Sequence, residues 1–247
     1  SNWAVTGNLS QTGVLPDGAN VALAVLPSTF AGTLTSSYAH GHEGKIQING
    51  GSLAVATDSY LGATPSTVVA DTITLNGGTL LATDSFTLNT NRGITLGSSG
   101  GTFSVEASKS VNYAGVMAGT GGLSKSGSGV LTLTGANTYS GGTTVSAGQL
   151  VAGGSANALG SGNVTVSGTR LSFDTTAPVS YSNAISLTGT GVLENMGAQA
   201  VTFTGGVNTN LSTTVVVDGG SAGLTLANTM TPTGAGASYY IKGDVTF

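Results

Sequence analysis

The chain has 247 residues, a formal net charge of −4, 41 glycines and no cysteine, and only 6% of its residues are charged although 39% are hydrophobic. An ordinary globular domain carries roughly 25% charged residues, and a disordered chain combines low hydrophobicity with high net charge, so neither class fits. The six basic residues, Lys45, Arg92, Lys109, Lys125, Arg170 and Lys242, are spread singly, which excludes a phosphate-neutralising patch for nucleic acid and an electrostatic membrane anchor.

Residues 1–30 differ from everything after them and form a cap-like segment. Their most apolar run, 21–26, lies between Pro16 and Pro27 and is far too short to cross a bilayer. It reads as one buried strand, and no part of the chain is expected to insert in a membrane. No charged and apolar leader opens the chain, so a signal peptide is expected to have been removed or never to have belonged to this segment.

Next comes His40-Gly41-His42-Glu43, the one cluster with metal-ligating residue types. Two imidazoles and a carboxylate suit a divalent ion when they converge. Gly41 and Gly44 favour a turn that keeps the rings apart, so no metal or other cofactor is expected.

From residue 45 a unit repeats. KIQINGGSLAVATDSY (45–60) and TITLNGGTLLATDSF (72–86) each place an alternating strand before Asn-Gly-Gly, then a second apolar strand, then Thr-Asp-Ser and an aromatic. Looser copies follow at Ile94, Leu131, Val145, Val164, Ile185, Val201, Leu224 and Val245, with spacings near twenty residues from Ile73 to Ile94, Val145 to Val164 and Val164 to Ile185. Period-2 alternation identifies strands, and a fixed period in this range is the mark of a solenoid. Antiparallel hairpins bent at Gly-Gly are the competing arrangement. The recurring apolar slots and the lack of helical segments favour two strand legs per coil, stacked like on like. The expectation is an all-β, right-handed parallel β-helix over 31–247 with roughly a dozen coils, about 55–60 Å long at the spacing of stacked strands. Glycine corners supply positive φ, Asn49, Asn76 and Asn137 flank corners, and the five prolines fall between ladder segments.

Paired carboxylates are the chemistry of glycoside hydrolysis, and Asp58 and Asp84 occupy the same slot of the two best copies. A repeated Asx corner is the preferred explanation, because no gripping cluster of cations and aromatics accompanies them. Serines are abundant without a nucleophile elbow, and the glycine loops precede strands instead of helices, so no phosphate cradle forms. Outward pairs such as Thr132/Thr134 and Thr202/Thr204 are too irregular to build a flat array. No catalytic residue is assigned.

The most specific stretch is GSGVLTLTGANTYSGGTTVSAGQL (127–150). It resembles the passenger-associated β-strand repeat of bacterial autotransporters, filling each fixed slot of that pattern, and 156–166 resembles its continuation. The repeat is strongest over 127–166. The resemblance implies a parallel β-helix exported across an outer membrane and displayed at the bacterial cell surface or secreted. It implies a structural, adhesive passenger domain and no enzyme, with other cells, surfaces or glycans as partners. The translocator barrel of that family is missing from this sequence. Within the motif, Leu131, Leu133, Val145 and Leu150 are expected in the core. Asn137, Tyr139 and Gly141 should shape the arc between strands, with Tyr139 packing a corner in preference to stacking on a ligand. A filament subunit polymerising head-to-tail through open solenoid ends is the alternative function, and a polysaccharide-active enzyme the lesser one.

Overall fold

A computed structural model describes residues 25–26, 33–36, 45–210, 215–226, 231–232 and 239–246. All described strand pairings are parallel, so the hairpin arrangement is excluded and the molecule is an all-β parallel solenoid. The strands are short, from two to seven residues, and rich in Val, Ile, Leu and Thr, whose branched side chains suit a pleated ladder.

Each complete turn visits three faces, not two. The turn beginning at Arg92–Leu96 continues through Gly101–Val105 and Ser110–Tyr113, and the next repeats this with Met117–Gly119, Leu123–Ser126 and Val130–Leu133. The first face is built by a five-stranded and a four-stranded sheet. Between them, arcs around Tyr139 and Gly160 continue the stack through backbone bonds, Thr138 N–H to the Met117 carbonyl and Ser161 N–H to the Tyr139 carbonyl. Among the described residues the second face is one ten-stranded sheet and the third an eight-stranded sheet.

Seven turns run from the strand Ser52–Val55 to Val207–Asn210. In-register partners lie 20 residues apart at Lys125 and Val145 but 27 apart at Leu53 and Leu80. The continuously described stretch thus holds about seven turns and the expected dozen coils are not shown; the stretch is shorter than the chain, and its repeats run on average slightly over twenty residues. The extra length in the first of them is an excursion at 56–68 that contains a single helical turn, Asp58–Leu61. The register also corrects one spacing: Val145 pairs with Val166, and Val164 with Thr143. Pro232, expected between ladder segments, is the second residue of the strand Thr231–Pro232, opposite Thr209. Among the described residues this is the last strand of its sheet, an edge where a missing N–H is tolerated.

Alternation decides the core. On the third face Val111, Leu131, Leu150, Leu171 and Leu193 stack in register and are fully buried. On the first, Ile46, Ile73, Ile94 and Met117 form a second buried column. Each such side chain contributes about 1.5–3 kcal/mol on leaving water. Phe173, Tyr181 and Phe203 fill the wider interior farther along, with ring centroids 4.9 to 5.8 Å apart. Corners need backbone against backbone. A side chain at Gly121 would run into the Gly97 carbonyl, and Gly142 turns at φ +87° while its carbonyl accepts from Leu123 N–H at 2.9 Å.

Candidate functional site

The repeat residues cluster around one arc. Leu131, Leu133, Val145 and Leu150 are fully buried. Asn137, also buried, joins three turns: its Oδ1 accepts from Met117 N–H at 2.8 Å and its Nδ2 donates to the Ala158 carbonyl at 2.6 Å. The Tyr139 ring is fully buried with its hydroxyl 2.6 Å from the Thr143 hydroxyl, which donates to the Leu159 carbonyl at 3.0 Å. Burial holds the Tyr139 phenol well above its ordinary range. No face of this ring is open to a ligand. Gly141 lies against the backbone of Gly121 and Gly122, where a side chain would not fit.

The two aspartates are each committed to a different cation. Val55 pairs with Ala82, so Asp58, three residues on, falls opposite position 85 and not opposite Asp84, two residues on. One extra residue in the first copy breaks the sequence equivalence. Asp58 accepts from Arg92 Nε at 2.9 Å, and the buried guanidinium also donates to the carbonyls of Leu61, Gly62 and Ala63. Arg92 thereby pins the excursion to the shaft. Asp84 pairs with Lys109 at 2.8 Å, and that hydrogen bond, followed by the one from Ser85 N–H, lowers its carboxyl below the usual range. His40, His42 and Glu43 lie outside the described residues, as does most of the cap-like segment 1–30.

Sequence reasoning missed two features. The first is the interior position of Lys125, which is fully buried in the column between Phe103 and Val145. Its signal was the alternation of Leu123-Ser-Lys-Ser126, which puts positions 123 and 125 on the same side of the strand. The second is the outer surface of the second face. The solvent-side column there runs Ser52, Thr79, Thr102, Ser124, Thr144, Thr165, Ser186, Asn208, a hydroxyl or amide at each of these positions. A parallel column contains Ser104 and Ser126, then Ser167 and Thr188 farther along. No charged side chain projects from either column. The Thr pairs weighed from the sequence lie elsewhere: Thr132 belongs to the third face, whose outer column also carries Val151, Ser172 and Glu194. Beside the neutral columns, an open groove of about 260 Å³ follows the glycine corner and is lined by Gly100, Thr102, Ser124, Gly142 and Thr144 among others.

This geometry offers hydroxyls and backbone to a partner. Among the described residues no group of three or more His, Cys, Asp or Glu side chains converges for a metal ion. No helix among them is long and apolar enough to cross a membrane.

Residues 123–152 match the passenger-associated-transport-repeat family. The arc just described is thus the centre of that repeat, and the chain carries the passenger-domain repeat of autotransporters. Over 104 residues the chain is 35% identical to the adhesin BmaC autotransporter of Brucella suis biovar 1 (strain 1330), a match covering 42% of this chain and 3% of that much longer protein. No solved structure matches the chain.

Proposed function

We propose that this chain is a non-enzymatic, extracellular shaft of an autotransporter-type surface protein and that it makes adhesive contact through the neutral outer columns of its second face. The carrying observation is the unbroken register of uncharged hydroxyl and amide side chains from Ser52 to Asn208. Hydroxyls both donate and accept hydrogen bonds, and a surface without charge imposes no penalty on a neutral partner. Such a face suits hydroxyl-rich surfaces, glycans in particular, through many weak bonds of about 1 kcal/mol each. The passenger repeat and the adhesin name of the relative support display at the cell surface or secretion. The coil is taken as right-handed, the sense that parallel crossovers almost always adopt. Nothing among the described residues favours head-to-tail polymerisation or polysaccharide cleavage.

The test is adherence of beads coated with the purified chain to glycan-coated and cell surfaces. Replacing Thr144, Thr165 and Ser186 together by Glu places three carboxylates on the neutral face without touching the core. Adherence is expected to fall at least about tenfold, the equivalent of 1.4 kcal/mol, with circular dichroism unchanged. Equal adherence of native and substituted chains rejects the face, and absence of native adherence rejects the adhesive role.

A further inference from the structure

Lys125 is a cation in the wrong place for a shaft built on apolar columns. Its neighbours in register are Phe103 and Val145, its side chain is fully buried, and among the described residues no carboxylate pairs with it. What it meets is a cage of three backbone carbonyls at the corner between the second and third faces. Nζ donates to Ser126 at 2.7 Å and to Gly127 at 2.8 Å on its own turn, and to Ala147 at 3.2 Å on the next turn. Three acceptors match the three protons of an ammonium. A neutral amine has two protons and a lone pair, so it must leave one carbonyl without a donor.

We propose that Lys125 is a proton-operated tie between successive turns: the ammonium fastens the corner at 126–127 to the corner at 147, and loss of its proton loosens that joint. Burial opposes the charged form and lowers the side chain from 10.5 to about 8, so the transition falls where it can be reached. The inward groups on the flanking strands, Gly101, Phe103, Val105, Thr143 and Val145, do not titrate in this range. Tyr113 and Tyr139, elsewhere in the same interior, are held above their ordinary range by burial and stay neutral. Glu106 is exposed, and Lys109 is engaged by Asp84.

Below about pH 8 both folded and unfolded chains hold the proton, and the folded chain carries the full burial penalty. Between about 8 and 10.5 the folded chain has released a proton that the unfolded chain still binds, so this group makes stability rise with pH. The tie therefore holds the joint at neutral pH at a cost to overall stability.

The experiment is nuclear magnetic resonance on the full chain with lysine side chains labelled at Cε. One lysine signal should titrate with a midpoint about 8 and be missing from Lys125→Met. The amides of Gly127, Ser128 and Gly148, each bonded directly to a caging carbonyl, should shift with the same midpoint in the native chain and not in the variant. In urea the unfolding midpoint of the native chain should rise between about pH 8 and 10.5, and that of Lys125→Met, which has no proton to release there, should not. A midpoint above about 10 overturns the proposal, as does titration near 8 that leaves those three amides still. Because the native titration needs no variant, a Lys125→Met chain that does not fold leaves the first two readouts decisive.

Discussion

Asn137 shows how one side chain holds neighbouring turns together. Its amide closes two buried backbone groups at once, Met117 N–H on one side and the Ala158 carbonyl on the other. Asn137→Ala leaves both without a partner, and each orphaned group costs about 1–3 kcal/mol. A loss of about 2–6 kcal/mol is expected, read as a lower urea midpoint. Thr132→Ala, on the outer side of the neighbouring strand, should stay within about 0.5 kcal/mol. The sequence motif placed Asn137 at an arc, because Asn beside a corner tolerates turn backbone. Its reach into two other turns was not legible, since a repeat pattern gives the period of the coil but not which carbonyl arrives at which amide. Lys125 was hidden for a different reason. A lysine is ordinarily a surface residue, and that prior overrode the alternation that placed it inside.

At the scale of elements, the excursion at 56–68 depends on Arg92. The guanidinium is buried, and it reaches the Asp58 carboxylate and carbonyls on both sides of Gly62. Arg92→Met keeps the apolar stem and removes every donor, leaving the Asp58 carboxylate and these carbonyls without that partner. Removing one member of a buried pair costs about 3–5 kcal/mol. The loss should appear as faster amide exchange at Tyr60 and Gly62, whose N–H groups bond within the helical turn, while exchange at Leu171 and Leu193 stays unchanged. Unaltered exchange in the excursion would mean that the helical turn holds itself. Two strands of each turn were readable because they are flanked by Gly-Gly and keep strict alternation. The third was not: strands such as Phe86–Leu88 and Met117–Gly119 are three residues long, too short for a period to show. The Thr-Asp-Ser likeness misled because a single inserted residue shifts everything after it to the other side of a strand.

Across the whole molecule, each turn packs mainly on the turns beside it, so cohesion is close to a sum over neighbours and not a property of one centre. Leu150 tests this. It is fully buried in the third-face column between Leu131 and Leu171, and Leu150→Ala should cost about 2–5 kcal/mol, depending on how far the cavity collapses. In a globular domain with one cooperative core that loss would lower protection everywhere. In this shaft it should be local. Hydrogen exchange followed along the chain should accelerate in Val130–Leu133, Gln149–Ala152 and Arg170–Phe173 and stay near native in Ile46–Ile48 and Thr79–Ala82, several turns away. A uniform acceleration would show that the stack unfolds as one unit, in which case the energetics of a single turn would no longer set where the shaft opens. Local acceleration would mean that the gain or loss of a proton at Lys125 acts on its own joint and leaves the rest of the shaft unchanged.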